Sequence, residues 1–145
     1  MILGVDTDVL VNWAMEGAPR HRASRRLLEK ELGRPAGRLG LTTQVLFEFL
    51  HVCTDPRRFE APLSMDRAND VARDIWSASD VERIQPGPAV FERTLELLLS
   101  LKLGRKRILD TALAAALESA GVHRLATFNG RDFAVFPFLE VVTPR

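Results

Sequence analysis

The sequence predicts an α/β fold, a three-layer α/β/α sandwich around a central, mostly parallel sheet of four to five strands. Short strand candidates at Met1–Asp6, Arg38–Thr42, Val81–Ile84, Arg124–Thr127 and Leu139–Val142 alternate with stretches of helical periodicity. That alternation is the pattern of a parallel sheet covered by helices on both faces. With 145 residues and no repeat, low-complexity tract or internal boundary, residues 1–145 read as a single domain.

The first strand is Ile2-Leu3-Gly4-Val5, closed by Asp6, and Asp8 is placed to cap a helix through Val9, Leu10, Val11, Trp13 and Ala14. Ala18-Pro19 opens a second helix, since proline is tolerated in a first turn. Leu27, Leu28 and Leu32 give that helix an apolar stripe, and Gly33 stops it. Arg34-Pro35-Ala36-Gly37 is a loop signal before the second strand, Arg38–Thr42. That strand runs straight into a helix from Thr43 to about Thr54. A helix capped by Ser64 extends through Ala78, and Val81–Ile84 forms the third strand. Beyond Pro86-Gly87-Pro88, a helix from Ala89 to about Leu103 carries Leu95, Leu98, Leu99 and Leu101. Gly104-Arg105-Lys106-Arg107 interrupts the pattern. The next helix, Ile108–Ala120, closes at Gly121. The last two strands are separated by the loop Phe128–Phe133.

Composition narrows the class. Apolar residues make up 46% and charged residues 27%, which suits a packed core and not a disordered tail. Cys53 is the lone cysteine, so neither an intrachain disulfide nor a cysteine zinc site is available. A reducing, cytoplasmic setting is the expectation. No leader pattern and no apolar run of bilayer length is present, which predicts no membrane partner. The net charge of +1 decides nothing, because nucleic-acid binding depends on where the charge sits.

Three acids stand alone in apolar surroundings: Asp6 after the first strand, Glu48 between Leu39 and Leu50, and Asp110 between Ile108 and Leu117. Leu41, Val45, Glu48 and Val52 recur at helical spacing, so Glu48 shares a face with apolar neighbours. A carboxylate there is costly unless compensated, and acids brought together repel one another as well. A divalent cation offsets both penalties, and all-oxygen ligands suit Mg²⁺ or Mn²⁺. Functional groups of parallel sheets gather beyond the carboxyl ends of strands, where Asp6 and the segment Asn129–Asp132 fall. The residues therefore predict an acidic metal site of the kind used in phosphodiester hydrolysis.

Other residues carry weaker signals. Arg105, Lys106 and Arg107 precede Asp110 and are candidates to hold a phosphate backbone. Arg20, Arg22, Arg25 and Arg26 can flank the same cleft; a solvated charged face is the commoner fate of such runs. Thr7 and Thr127 follow strands, where threonine contacts a ligand or satisfies the backbone. Trp13 and Trp76 read as core or interface anchors, and Cys53 as a small buried hydrophobe. His21, His51 and His123 show no ligand spacing.

Over nearly its whole length the chain resembles the PIN-domain ribonucleases, specifically VapC-type toxins of prokaryotic toxin–antitoxin pairs. The resemblance is carried by Val5-Asp6-Thr7-Asp8-Val9-Leu10-Val11, by Gln44-Val45-Leu46-Phe47-Glu48-Phe49, by Arg107-Ile108-Leu109-Asp110-Thr111-Ala112, and by Ala126-Thr127-Phe128-Asn129-Gly130-Arg131-Asp132-Phe133. Each motif alone is weak; their order and spacing together are specific. The resemblance implies Mg²⁺- or Mn²⁺-dependent cleavage of RNA with Asp6, Glu48 and Asp110 as core metal ligands. It also implies a small antitoxin partner and a homodimer. Asp8 stands where the family usually has asparagine, and Asn129 where many relatives have aspartate. Asn129 would then orient a ligand or water, with Asp132 as a possible fourth carboxylate.

Two other classes compete. Asp6-Thr7-Asp8-Val9 resembles the nucleophile motif of haloacid-dehalogenase-like phosphatases, with Asp6 phosphorylated and Asp8 as acid and base. That family's later lysine and paired acids are missing here. A non-catalytic RNA- or protein-binding module on the same fold is the other alternative, and the intact acids speak against it.

Overall fold

The computed structural model describes residues 1–145 and contains one five-stranded sheet in which every pairing is parallel. In chain order the elements are β1 (Ile2–Val5), α1 (Thr7–Ala14), α2 (His21–Leu32), β2 (Arg38–Thr42), α3 (Thr43–Cys53) and α4 (Met65–Ser77). There follow β3 (Val81–Ile84), α5 (Pro88–Ser100), α6 (Ile108–Ser119), β4 (Arg124–Ala126), α7 (Gly130–Phe133) and β5 (Glu140–Val142). The expected α/β architecture is present.

Strand order is β3-β2-β1-β4-β5. From β1 the chain winds outward through β2 to β3, then crosses back and lays β4 on the other side of β1. The strand order therefore reverses between β1 and β4, and the carboxyl side of such a switch point is where open parallel sheets leave a crevice. Asp6 and Thr127 immediately follow the two strands that flank it.

The middle of the sheet is built for close approach. Gly4 pairs with Gly40 of β2 and with Leu125 of β4. A Cβ at Gly4 would stand 3.0 Å from Leu117 Cδ2 and 3.1 Å from the Arg124 carbonyl oxygen. Leu113, Ala114, Ala115, Ala116 and Leu117 of α6 are all buried. Small side chains in that run let α6 lie against the sheet. Away from the carboxyl edge, Glu31 of α2 is buried and accepts a 2.7 Å bond from Arg124 Nη1, which ties α2 to β4. Arg34 lies 3.4 Å from the same carboxylate.

Several expectations are corrected in detail. Asp6, not Asp8, caps α1: its side chain accepts from the Thr7 N–H, and Asp8 falls within the first turn. Helix α2 begins at His21, past Pro19. Asn12 decides that start, because its Oδ1 accepts from the Arg20 N–H at 3.0 Å and its carbonyl lies 2.8 Å from His21 Nδ1. Helix α5 ends at Ser100 and buries Val90, Thr94 and Leu97, which leaves Leu95 and Leu99 exposed. The segment expected as a loop after β4 contains the short helix α7.

Ser64 caps α4 as expected, and Gly121 takes the positive φ of 72° that stops α6. Cys53 is fully buried, and burial pushes its thiol up to about 11. Trp13 and Trp76 are half-buried against the core. No helix is long and apolar enough to cross a membrane.

The close approach of α6 makes Gly4 a sensitive position. Gly4→Val should lower stability by about 2 kcal/mol through overpacking, read as a fall in the urea midpoint at unchanged slope. An unchanged midpoint would mean that α6 does not seat on β1 as described.

Candidate active site at the carboxyl edge of the sheet

Asp6 is the first residue beyond β1, and its backbone N–H still donates to the Ala126 carbonyl of β4 at 2.9 Å. That bond fixes the carboxylate at the switch point. Its Oδ1 accepts from the Thr7 N–H at 2.8 Å, and its Oδ2 accepts from Thr127 Oγ1 at 2.7 Å. The Thr127 hydroxyl in turn accepts from the Asn129 N–H at 2.9 Å. Asp6 is thus held from β1, from α1 and from the end of β4. It is only 7% exposed.

Glu48 reaches the same edge from α3. The buried face of α3 is formed by Val45, Leu46, Phe49 and Cys53, and Glu48 is half-buried at its border. Its Oε2 accepts from Thr7 Oγ1 at 2.8 Å, and its Oε1 accepts from Gln44 Nε2 at 3.1 Å. The same Gln44 amide also donates to the Leu109 carbonyl at 3.2 Å. Glu48 is therefore linked to the start of α1 and, through Gln44, to the turn that carries Asp110.

Asp110 is half-buried in the first turn of α6, where the helix dipole favours an anion. The preceding 3-10 turn, Arg105–Arg107, sets its approach. Next to it, the buried Thr111 hydroxyl donates to the Arg107 carbonyl at 2.6 Å. Asp132 comes in from α7. Arg107 donates from Nη2 to the Asp132 carbonyl, and its Nη1 stands 3.8 Å from Asp132 Oδ1. Asn129 occupies the cap position of α7 and is exposed, and its side chain makes no hydrogen bond.

The basic run before Asp110 divides in two. Arg105 and Lys106 are exposed. Arg107 is turned inward onto Asp132 with its Nε buried and unpartnered, and it serves to anchor α7 rather than to face solvent.

Charge accumulates here. Burial pushes the Asp6 carboxyl up to about 6; the bonds from Thr127 and Thr7 oppose the rise, and Asp8 and Asp110 add to it. The Asp110 carboxyl is also held above its ordinary range, first by burial and then by Asp132, with Arg107 opposing and Glu48 and Asp8 contributing. These carboxylates feel one another's charge, although no three of them form a ready-made ligand cage. Every donor is a hard oxygen. Such a set fits a divalent cation of the Mg²⁺ or Mn²⁺ type, which would relieve both the burial cost and the repulsion.

Two participants carried weaker signals in the sequence. Gln44 stands one helical turn before Glu48, and that i, i+4 spacing marks it as a partner. Thr7 bridges to Glu48 across 41 residues, a contact only the fold creates.

Comparison with known proteins identifies the family. The PIN-domain family profile matches residues 4–139. Ribonuclease VapC33 of Mycobacterium tuberculosis is 30% identical over 141 residues, covering 96% of this chain and 95% of its own. VapC20 of Mycobacterium tuberculosis, a sarcin–ricin-loop-cleaving toxin, shares the fold with a TM-score of 0.70 at 21% identity, over 91% of this chain and 93% of that one. A chain of a toxin–antitoxin complex from Klebsiella pneumoniae does so with a TM-score of 0.66 at 21% identity, over 99% and 98%. The residue motifs, the parallel sheet and the clustered acids converge on one conclusion: the chain belongs to the PIN-domain family, alongside VapC ribonucleases.

Proposed function

We propose that this chain is a metal-dependent endoribonuclease, the toxin of a toxin–antitoxin pair, with its active site at the acidic edge. The observation that carries the reading is that Asp6, Glu48 and Asp110, from three separate parts of the chain, lie on one side of the β1/β4 switch point in a PIN-domain chain. Asp6 and Asp110 are the primary metal ligands and Glu48 the third. A bound Mg²⁺ or Mn²⁺ would supply Lewis-acid polarisation of the scissile phosphate and a more acidic water.

The remaining residues position those groups. Thr127 and the Thr7 N–H aim the Asp6 carboxylate, so little reorganisation is needed when a ligand arrives. Thr7 and Gln44 hold Glu48 at the rim. Asp132 is the fourth carboxylate, held by Arg107, and its charge acts on Asp110. Asn129, whose amide is free, orients substrate or solvent. Asp8 adds negative charge beside Asp6 without capping the helix.

RNA is the substrate, and an antitoxin is the partner that keeps the site silent. The related fold found in the Klebsiella pneumoniae toxin–antitoxin complex and the VapC33 relationship support both assignments. A homodimer in the cytoplasm completes the reading. The match to the PIN profile over residues 4–139 favours it over a phosphatase built on Asp6.

The direct test is sequencing of RNA ends after brief induction, comparing wild type with Asp110→Ala. New ends at a few sites, present only with wild type, are expected; identical end profiles would contradict the reading. In vitro, chelation should abolish cleavage by the purified protein and added Mg²⁺ or Mn²⁺ should restore it.

Asp6 also predicts a pH signature. Its carboxyl is raised from 3.8 to about 6, so the folded chain holds that proton more tightly than the unfolded chain does. The advantage of the protonated form is complete below the unfolded value and is lost as pH rises through the folded value. Across that window the metal-free protein should lose about 3 kcal/mol from this group. Asp6→Asn should therefore exceed wild type by about 1–2 kcal/mol at neutral pH without cation, the lost charge-assisted bonds reducing the gain. It should also forfeit stabilisation by Mg²⁺. Thermal melts in chelator across the acidic-to-neutral range read this out, and a variant less stable than wild type at neutral pH would show that Asp6 is not strained by its burial.

A further inference from the structure

The ribonuclease reading accounts for the acids but not for how an RNA backbone is held against so negative an edge. Four arginines cluster at the start of α2, and the structure separates them. Arg25 is committed to Glu29, with bonds of 2.9 and 2.6 Å from Nε and Nη2 to one carboxylate oxygen. Arg26 donates to the Arg145 carbonyl at 3.0 Å. Arg22 is exposed and rests on nothing at the site.

Arg20 differs. Its Cζ lies 4.4 Å from the centroid of the Phe128 ring, and its guanidinium makes no ion pair or hydrogen bond within the chain. Both halves of that contact are fixed from beneath. The Arg20 backbone N–H is tied to Asn12 Oδ1 at 3.0 Å. Phe128 lies between Thr127, whose hydroxyl holds Asp6, and Asn129, whose N–H bonds that same hydroxyl. A cation is thus seated one residue along the chain from the group that aims Asp6. Stacking on a ring restrains the long side chain while leaving the in-plane N–H donors open. A planar fork with open donors matches the two oxygens of a phosphate.

Resting on the ribonuclease reading of the acidic edge, we propose that Arg20, seated on Phe128, binds an RNA backbone phosphate flanking the scissile one. The pair forms a substrate-positioning clamp on the β4 side of the site, and Arg105 and Lys106 lie exposed beside α6. Phe128 contributes by holding the fork in place, so its loss weakens the clamp without removing charge.

The test measures binding of a labelled RNA stem-loop to full-length protein silenced by Asp110→Asn, titrated over a series of salt concentrations. Arg20→Ala should weaken binding about tenfold and reduce the slope of log affinity against log salt by about 0.7–0.9, the value for one phosphate contact. Phe128→Leu should weaken binding while keeping the slope, and Arg25→Ala should change neither. Unchanged affinity and slope in Arg20→Ala, with the silenced protein still binding RNA, would overturn the proposal. Weaker binding at an unchanged slope would also overturn it, by making Arg20 a packing residue. If wild type does not cleave RNA and the silenced protein does not bind it, the ribonuclease reading fails first and takes the clamp with it.

Discussion

The hydrogen bond from Thr127 to Asp6 is the contact on which the acidic edge depends. It joins residues 121 apart in sequence across the one place where strand order reverses. A carboxylate that is only 7% exposed needs its lone pairs satisfied, and Asp6 meets that need with one donor from α1 and one from the end of β4. The bonds fix its direction but do not restore the lost hydration, so its proton is still held up to about 6.

The other acids lie around this buried one, and all three are half-buried. Glu48 and Asp110 are half-buried and are coupled through Gln44, which touches both the Glu48 carboxylate and the Leu109 carbonyl. Asp132 is anchored by Arg107 from the turn that also delivers Asp110. Few of these contacts lie deep in the core, yet each rests on an element that does. Close seating of α6 on β1 at Gly4 therefore bears on where Asp110 stands as well as on how the core packs.

Much of this was legible in the sequence because the signals were local. All five strand segments stand out as short stretches set off by helical periodicity or turn signals, and Asp6, Glu48 and Asp110 stand out as charges in apolar surroundings. What could not be read was partner choice across the fold. Arg107 looks like its neighbours Arg105 and Lys106 until α7 places Asp132 beside it, 25 residues on. Asp8 has the right type to cap α1, but the chain turns two residues earlier and Asp6 takes that role. In α5 the leucines outnumber the positions that face the core, so periodicity alone does not reveal that Leu95 and Leu99 are the exposed ones. The four arginines of the α2 region are indistinguishable as letters, and only their contacts set Arg20 apart.

The central claim is that the carboxylates of the β1/β4 edge form a divalent-cation site. It is tested most directly by anomalous diffraction from a crystal of the protein soaked in Mn²⁺. The account predicts a manganese peak within bonding distance of Asp6 and Asp110 oxygens, lost in a crystal of Asp110→Asn. Manganese bound elsewhere, with nothing between Asp6 and Asp110, would contradict it.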